Sequence, residues 1–238
     1  MIRLVQLGDI HIRNNVRHEE YKKVFEKLYK SLRENKPDAI IITGDLFHQK
    51  TELTGNSIVM ASNFLRELAT IAETFIIIGN HDYSKQNIDR IDSIRALMCI
   101  PAGLYSEVNK IWYSPKTYEH ILRYGDDKEI LVSFFAHSDI DQKKYDSIDY
   151  EYHSGINIAI YHGIVNGAKL DNGFELESEI GLDYFKKFDF AMLGDIHKQQ
   201  HLGDPVDVVI EKEIDEEDLQ KYKDEFGVVE ITISESHK

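Results

Sequence analysis

Ala39-Ile40-Ile41-Ile42-Thr43-Gly44-Asp45-Leu46-Phe47-His48 is the stretch that decides the reading of this chain. An apolar run this short and β-branched suits a strand buried on both faces rather than a helix. It stops at Gly44-Asp45, where a carboxylate is ordinarily a turn residue or a helix cap. Four other runs stop in the same manner. Residues 4–7 precede Gly8-Asp9, and residues 75–78 precede Gly79-Asn80-His81-Asp82. Residues 156–161 precede His162-Gly163, and residues 188–193 precede Gly194-Asp195. Turn chemistry alone does not place a polar, metal-competent group after every buried strand.

Between these runs, Tyr21, Val24, Phe25, Leu28 and Leu32 recur at helical spacing, as do Ile58, Ala61, Phe64, Leu65 and Leu68. Strands alternating with helices predict an α/β fold, in which loops leaving the strand ends converge on one crevice. Residues 111–137 differ: Trp112, several tyrosines and a turn-like Gly125-Asp126-Asp127 predict antiparallel strands. Residues 215–226 read as an exposed acidic helix, and residues 228–233 alternate as a final half-buried strand. No boundary splits the first 203 residues; the expected division is one domain over 1–204, with 205–238 as an acidic appendage of helix and strand.

The 238 residues carry 42% hydrophobic and 29% charged side chains, ordinary for a globular enzyme with one sizeable core. No run reaches the length of a membrane span, and the apolar start is too short for a signal peptide. The single cysteine, Cys99, excludes an internal disulfide framework, fits a reducing, intracellular compartment, and is expected to be a small buried apolar residue. A net charge of −14 argues against a large basic face, so a nucleic-acid substrate would need a partner to supply much of the grip. Phosphate-loop, C-x-x-C and G-x-S-x-G motifs are all missing. Tyr145, Tyr150 and Tyr152 alternate with acids and read as partly packed loop residues rather than a base-stacking platform.

Collected from the strand ends, Asp9, His11, Asp45, Asn80, His81, His162, Asp195 and His197 combine carboxylate, imidazole and amide oxygen. Such a set suits Mn(II), Fe or Zn better than Ca(II) or Mg(II) alone. Their order and spacing resemble the calcineurin-like metallophosphoesterase superfamily, whose pattern is D-x-H, G-D, G-N-H-D, a lone H and G-H-x-H. The matching residues are Asp9-Ile10-His11, Gly44-Asp45, Gly79-Asn80-His81-Asp82, His162 and Gly194-Asp195-Ile196-His197, spanning residues 1–201. The resemblance implies a four-layer α/β/β/α sandwich with two divalent cations bound on loops at the strand ends. Asp9, His11 and His197 would hold the first, Asp45 would bridge, and Asn80, His162 and Asp195 would hold the second. His81 would be a proton donor to the leaving oxygen rather than a ligand, oriented by Asp82; a helix-capping role for Asp82 stands beside this. Asp195 departs from the family's usual histidine, and either serves as a ligand favouring harder cations such as Mn(II) or weakens the second site.

Gly44-Asp45-Leu46-Phe47-His48 and the Lys198-Gln199 pair resemble the SbcD-type nuclease branch. There His48 would contact the scissile phosphate or orient His81. That branch implies a DNA exo- and endonuclease of repair or recombination, with Mn(II) as cofactor and Fe, Zn or Mg as alternatives. It also implies an SbcC-type ABC ATPase partner, a homodimer, and a cytoplasmic, membrane-free setting. After the final metal motif, His201-Leu202-Gly203-Asp204-Pro205 runs into the acidic segment, and the branch's Y-P-G-S segment and capping domain find no match, which fits a compact phage-type version, a truncated chain or a split subunit. Two alternatives remain: a phosphoesterase of the superfamily acting on small phosphodiesters, nucleotides or phosphoproteins, and a non-catalytic scaffold of the same fold.

Overall fold

The computed structural model describes residues 2–83, 90–99, 110–124, 128–134, 156–170, 172–197, 200, 202 and 227–233. The acidic helix expected over 215–226, the tyrosines at 145, 150 and 152, the 125–127 turn, and Lys198 and Gln199 lie outside them.

Chain order runs β1 (Ile2–Gly8), α1 (His18–Asn35), β2 (Ala39–Ile42), α2 (Gly55–Ile71), β3 (Glu73–Ile76), α3 (Ser93–Met98) and β4 (Ile111–Tyr113). It continues through β5 (Tyr118–Tyr124), β6 (Lys128–Phe134), β7 (Ile156–His162), a 3-10 turn at Leu182–Phe185, β8 (Phe190–Gly194) and β9 (Gly227–Ile233). One sheet has the order β4-β3-β2-β1-β9 and the other β5-β6-β7-β8. β1, β2, β3 and β4 pair in parallel, as do β6, β7 and β8. β9 runs antiparallel along all of β1, from Gly8 opposite Gly227 to Ile2 opposite Ile233.

Alternation along the strands explains the layering. On β1 and β2, Val5, Leu7, Ile40 and Ile42 point to a core with Phe25, Leu28, Phe64 and Leu68 of α1 and α2. Their neighbours Ile2, Leu4, Ala39 and Ile41 point the other way, into a core shared with Ile130, Val132, Ile158 and Ile160 of the second sheet. Phe75 and Phe134 stack across this second core with ring centroids 5.2 Å apart. On the outer face of the second sheet, Val165, Ile180 and Phe185 pack on Ala159 and Tyr161. The α/β sandwich expected from the sequence is thus the architecture observed.

Two expectations need correction. The segment 111–137 is not uniformly antiparallel: β5 and β6 form an antiparallel pair, but β4 joins the first sheet parallel to β3. A period of two marks a strand without naming its partner. Cys99 is exposed, not buried, because it caps α3, whose inward face is supplied by Ile94 and Leu97. Among the described residues no helix is long and apolar enough to cross a membrane.

Candidate metal centre

The loops after β1 and β2 run side by side as an extension of their parallel pairing. His11 N donates to the Asp45 carbonyl and Ile12 N to the Leu46 carbonyl, each at 2.9 Å, and His48 N donates to the Ile12 carbonyl at 3.1 Å. Asp9, His11 and Asp45 adopt φ of 55°, 49° and 53°, and Asp195 on the loop after β8 adopts 68°. Such left-handed conformations cost about 1 kcal/mol or more each outside glycine, and survive where the surroundings enforce them. Here they turn four candidate ligands out of their strands towards one point. Glycine is needed beside them: a Cβ on Gly44 (φ 99°) would lie 2.6 Å from His162 Nδ1, and one on Gly79 would collide with the Asp45 carboxylate.

Three overlapping groups result, each with its candidate ligand atoms within 4.8 Å of one another: Asp9, His11 and His197; Asp9, Asp45, His162 and Asp195; and His11, His48 and His81. Asp45 occupies the middle, 1% exposed. Its Oδ1 accepts from the His81 backbone N–H at 2.7 Å and lies 3.5 Å from His162 Nε2. Its Oδ2 is 3.7 Å from His11 Nε2 and, although buried, makes no hydrogen bond. Asp9 lies 4.0 Å from His11 Nε2 and 3.9 Å from His197 Nε2, and its carboxylate accepts the Asp195 backbone N–H. Asn80 Nδ2 donates to Asp195 Oδ1 at 3.0 Å, while its Oδ1 accepts from Lys50 Nζ at 3.2 Å. Every residue expected from the sequence as a ligand therefore lies in this cluster. For Asn80 to offer oxygen to a cation beside Asp195, its amide must turn over.

The electrostatics fit divalent cations. Burial pushes the Asp9 carboxyl up; His162 and His197 oppose this, while Asp45 and Asp195 add to it. Burial would also raise Asp45, but hydrogen bonding and charge from His162, the His81 N–H and His11 hold it down to about 2. Burial would lower His162, yet Asp45, with Asp9 and Asp195, lifts it to about 9. Burial keeps His11 neutral, down at about 4. Three carboxylates thus crowd together, one with a buried oxygen lacking a hydrogen bond, and such a site is stabilised by bound cations. His162 Nδ1 lies 2.6 Å from the Thr43 carbonyl, so Nδ1 carries the proton and Nε2 is the atom left to face a metal.

His81 and His48 stack at the rim, with ring centroids 5.6 Å apart, and the His81 ring lies 4.8 Å from His11. Burial, together with Arg13 and His81, lowers His48. The expected orienting role of Asp82 is not what the structure shows. His81 Nδ1 lies 2.5 Å from the His48 backbone carbonyl, which can only accept, so that carbonyl sets the ring. The Asp82 carboxylate instead accepts from the backbone N–H groups of Leu46, Phe47 and Gly79 at 3.1–3.2 Å. It is 2% exposed, and burial, reinforced by Asp45, pushes it up to about 7. Asp82 ties the second ligand loop to the third. Sequence reasoning missed the Thr43 and His48 carbonyls, because a backbone acceptor has no residue type to betray it. Lys50, two places beyond the recognised stretch, was also overlooked.

Over residues 2–199 the chain matches calcineurin-like phosphoesterases, and it belongs to that family. It is similar to uncharacterized protein R555 of Acanthamoeba polyphaga mimivirus, 32% identical over 216 residues, which cover 84% of this chain and 15% of that protein. It is also similar to the putative phosphoesterase 078R of Invertebrate iridescent virus 3, 35% identical over 78 residues, covering 32% of this chain and 22% of the relative. The chain thus spans less than a quarter of either relative's length. Among solved structures, Pseudomonas putida nuclease MPE aligns at 16% identity and a TM-score of 0.33, covering 73% of this chain and 66% of that one. The phosphoesterase YfcE from E. coli aligns at 11% and 0.34, covering 73% and 76%. The family is one of metal-dependent hydrolases, and this chain carries clustered candidate ligands for divalent metals.

Proposed function

We propose that this chain is a two-metal phosphodiesterase of the SbcD-type nuclease branch, cutting DNA in repair or recombination. The observation that carries the reading is Asp45, a buried carboxylate with one oxygen facing His162 and the other facing His11, beside the stacked His48–His81 pair. Asp9, His11 and His197 would hold one cation, Asn80, His162 and Asp195 the other, and Asp45 both, with Mn(II) the first choice for a set this rich in carboxylate. When bound, the pair of cations supplies water activation and charge stabilisation for in-line displacement at phosphorus.

The chain's own residues do the rest. The His48 carbonyl fixes the Nδ1–H of His81, so that Nε2 is the ring atom that would pass a proton to the leaving oxygen. The His48 ring, stacked on His81, would meet a phosphate oxygen. A net charge of −14 leaves little basic surface for duplex DNA, so the grip is assigned to a partner, an SbcC-type ABC ATPase subunit. The same acidity favours a second reading, hydrolysis of a small phosphodiester without a partner.

End-labelled duplex and single-stranded DNA, incubated with Mn(II), Mg(II) or EDTA, separates the two. Cleavage in Mn(II) that is lost in EDTA and in His81→Gln supports the nuclease reading. Intact DNA, with mutant-sensitive hydrolysis of an aryl phosphodiester, supports the second.

A further inference from the structure

The ammonium group of Lys50 is tied to the candidate metal centre through one side chain. Lys50 Nζ donates to Asn80 Oδ1 at 3.2 Å, and Asn80 Nδ2 donates to Asp195 Oδ1 at 3.0 Å. The amide oxygen faces Lys50 and the amide nitrogen faces Asp195, and an amide NH2 is no ligand, so a cation beside Asp195 needs the amide turned over. Turning the amide over brings the oxygen to the side where Nδ2 now sits. It also turns Nδ2 towards Lys50, donor against donor, so the lysine must leave. Lys50 is exposed, on the loop that carries His48, whose ring stacks on His81 at the rim of the cleft. Arg90 is differently placed: its guanidinium donates to the Thr51 carbonyl at 2.8 Å. Lys50 is thus within one side chain of the cluster, on the loop that also carries His48.

We propose that Lys50 is a substrate-phosphate ligand held in reserve by Asn80 and released when Asn80 turns its oxygen to the second cation. In the metal-free protein its ammonium group partly offsets the clustered carboxylates; in the loaded protein it binds a non-bridging phosphate oxygen. Metal loading and phosphate binding are thereby coupled through one amide rotation. The inference rests on the two-cation reading above and adds a substrate contact to it.

The test uses three full-length proteins: the parent chain, Lys50→Met and Lys50→Arg. Each is titrated calorimetrically with MnCl2 and then, metal-loaded, with inorganic phosphate. Lys50→Met should keep the parent's Mn(II) stoichiometry with equal or tighter affinity, since a competing cation has gone. Its phosphate affinity should fall roughly tenfold, the loss expected for one charge-assisted hydrogen bond. Lys50→Arg should retain most of the phosphate affinity. Loss of the second Mn(II) in Lys50→Met would make Lys50 a mere prop for Asn80 and overturn the proposal. Unchanged phosphate affinity with normal metal binding would overturn it equally. A parent chain that binds no Mn(II) would defeat both this inference and the two-cation reading. Lysine-dependent phosphate binding without hydrolysis of DNA or an aryl phosphodiester would uphold Lys50 and defeat only the proposed activity.

Discussion

Asp45→Asn keeps the shape of the central side chain and removes its charge, and the metal-free protein shows the consequence most cleanly. His162 is fully buried, with Nε2 3.5 Å from Asp45 Oδ1, and is lifted to about 9 chiefly by that carboxylate. Without it, burial is opposed only by Asp9 and Asp195, and the ring should fall back towards its ordinary 6.5. A change of more than two units corresponds to about 3 kcal/mol between the charged ring and the carboxylate. The low value of Asp45 and the high value of His162 describe one interaction, counted once. Its sign follows from linkage: a histidine raised on folding stabilises fully below its unfolded value, and the benefit is lost as pH rises through the folded value. Urea unfolding in EDTA should therefore show the parent losing about 3 kcal/mol between pH 6.5 and 9, with Asp45→Asn nearly flat over the same window. An NMR titration of the His162 ring gives the site-specific check. A ring still titrating above 8 in the variant, or equal pH slopes in both proteins, would show that Asp45 does not hold the charge on His162.

Other perturbations separate the roles at the centre. His81→Gln should leave metal content intact, read by elemental analysis, and lower turnover by about 10²–10⁴-fold, the range for a lost general acid; loss of metal would instead make His81 a ligand. Gly79→Ala drives a methyl group into the Asp45 carboxylate and should cost about 1–3 kcal/mol by chemical unfolding, together with metal occupancy. Asp82→Ala strands the buried backbone donors of Leu46, Phe47 and Gly79 and should destabilise by about 3 kcal/mol or more, far beyond any effect on an isolated His81. Asp195→His should keep both cations and shift preference from Mn(II) towards Zn(II), measured by competitive metal binding; a metal-free product would remove Asp195 from the ligand set.

How much of this was legible in the sequence depends on the kind of group involved. The buried run at Ala39–Ile42 announced itself because parallel strands covered on both faces are rich in apolar residues, and residues 156–161 did so despite the polar Asn157. β3 was placed too late: Glu73 and Thr74 are polar, yet they pair with Ala39 and Ile40, while Ile77 and Ile78 lie just past the end of the strand. The ligands were legible because carboxylates and imidazoles recurred after every run. Their orientation was not, since Thr43 and His48 act through backbone carbonyls. Asp82 looked like a partner for its neighbour His81, but it bonds backbone groups more than thirty positions away, a relation only the fold creates. Lys50 was passed over because a lone lysine after a motif is ordinarily solvated surface, and its tie to Asn80 spans 30 positions.

The bridging role proposed for Asp45 requires that it join two cations in one centre. Electron paramagnetic resonance of the Mn(II)-saturated parent chain tests it most directly. Two Mn(II) per chain with an exchange-coupled spectrum are expected, collapsing in Asp45→Asn to the six-line signal of isolated Mn(II). An uncoupled six-line spectrum from the saturated parent, with one Mn(II) per chain, would contradict it.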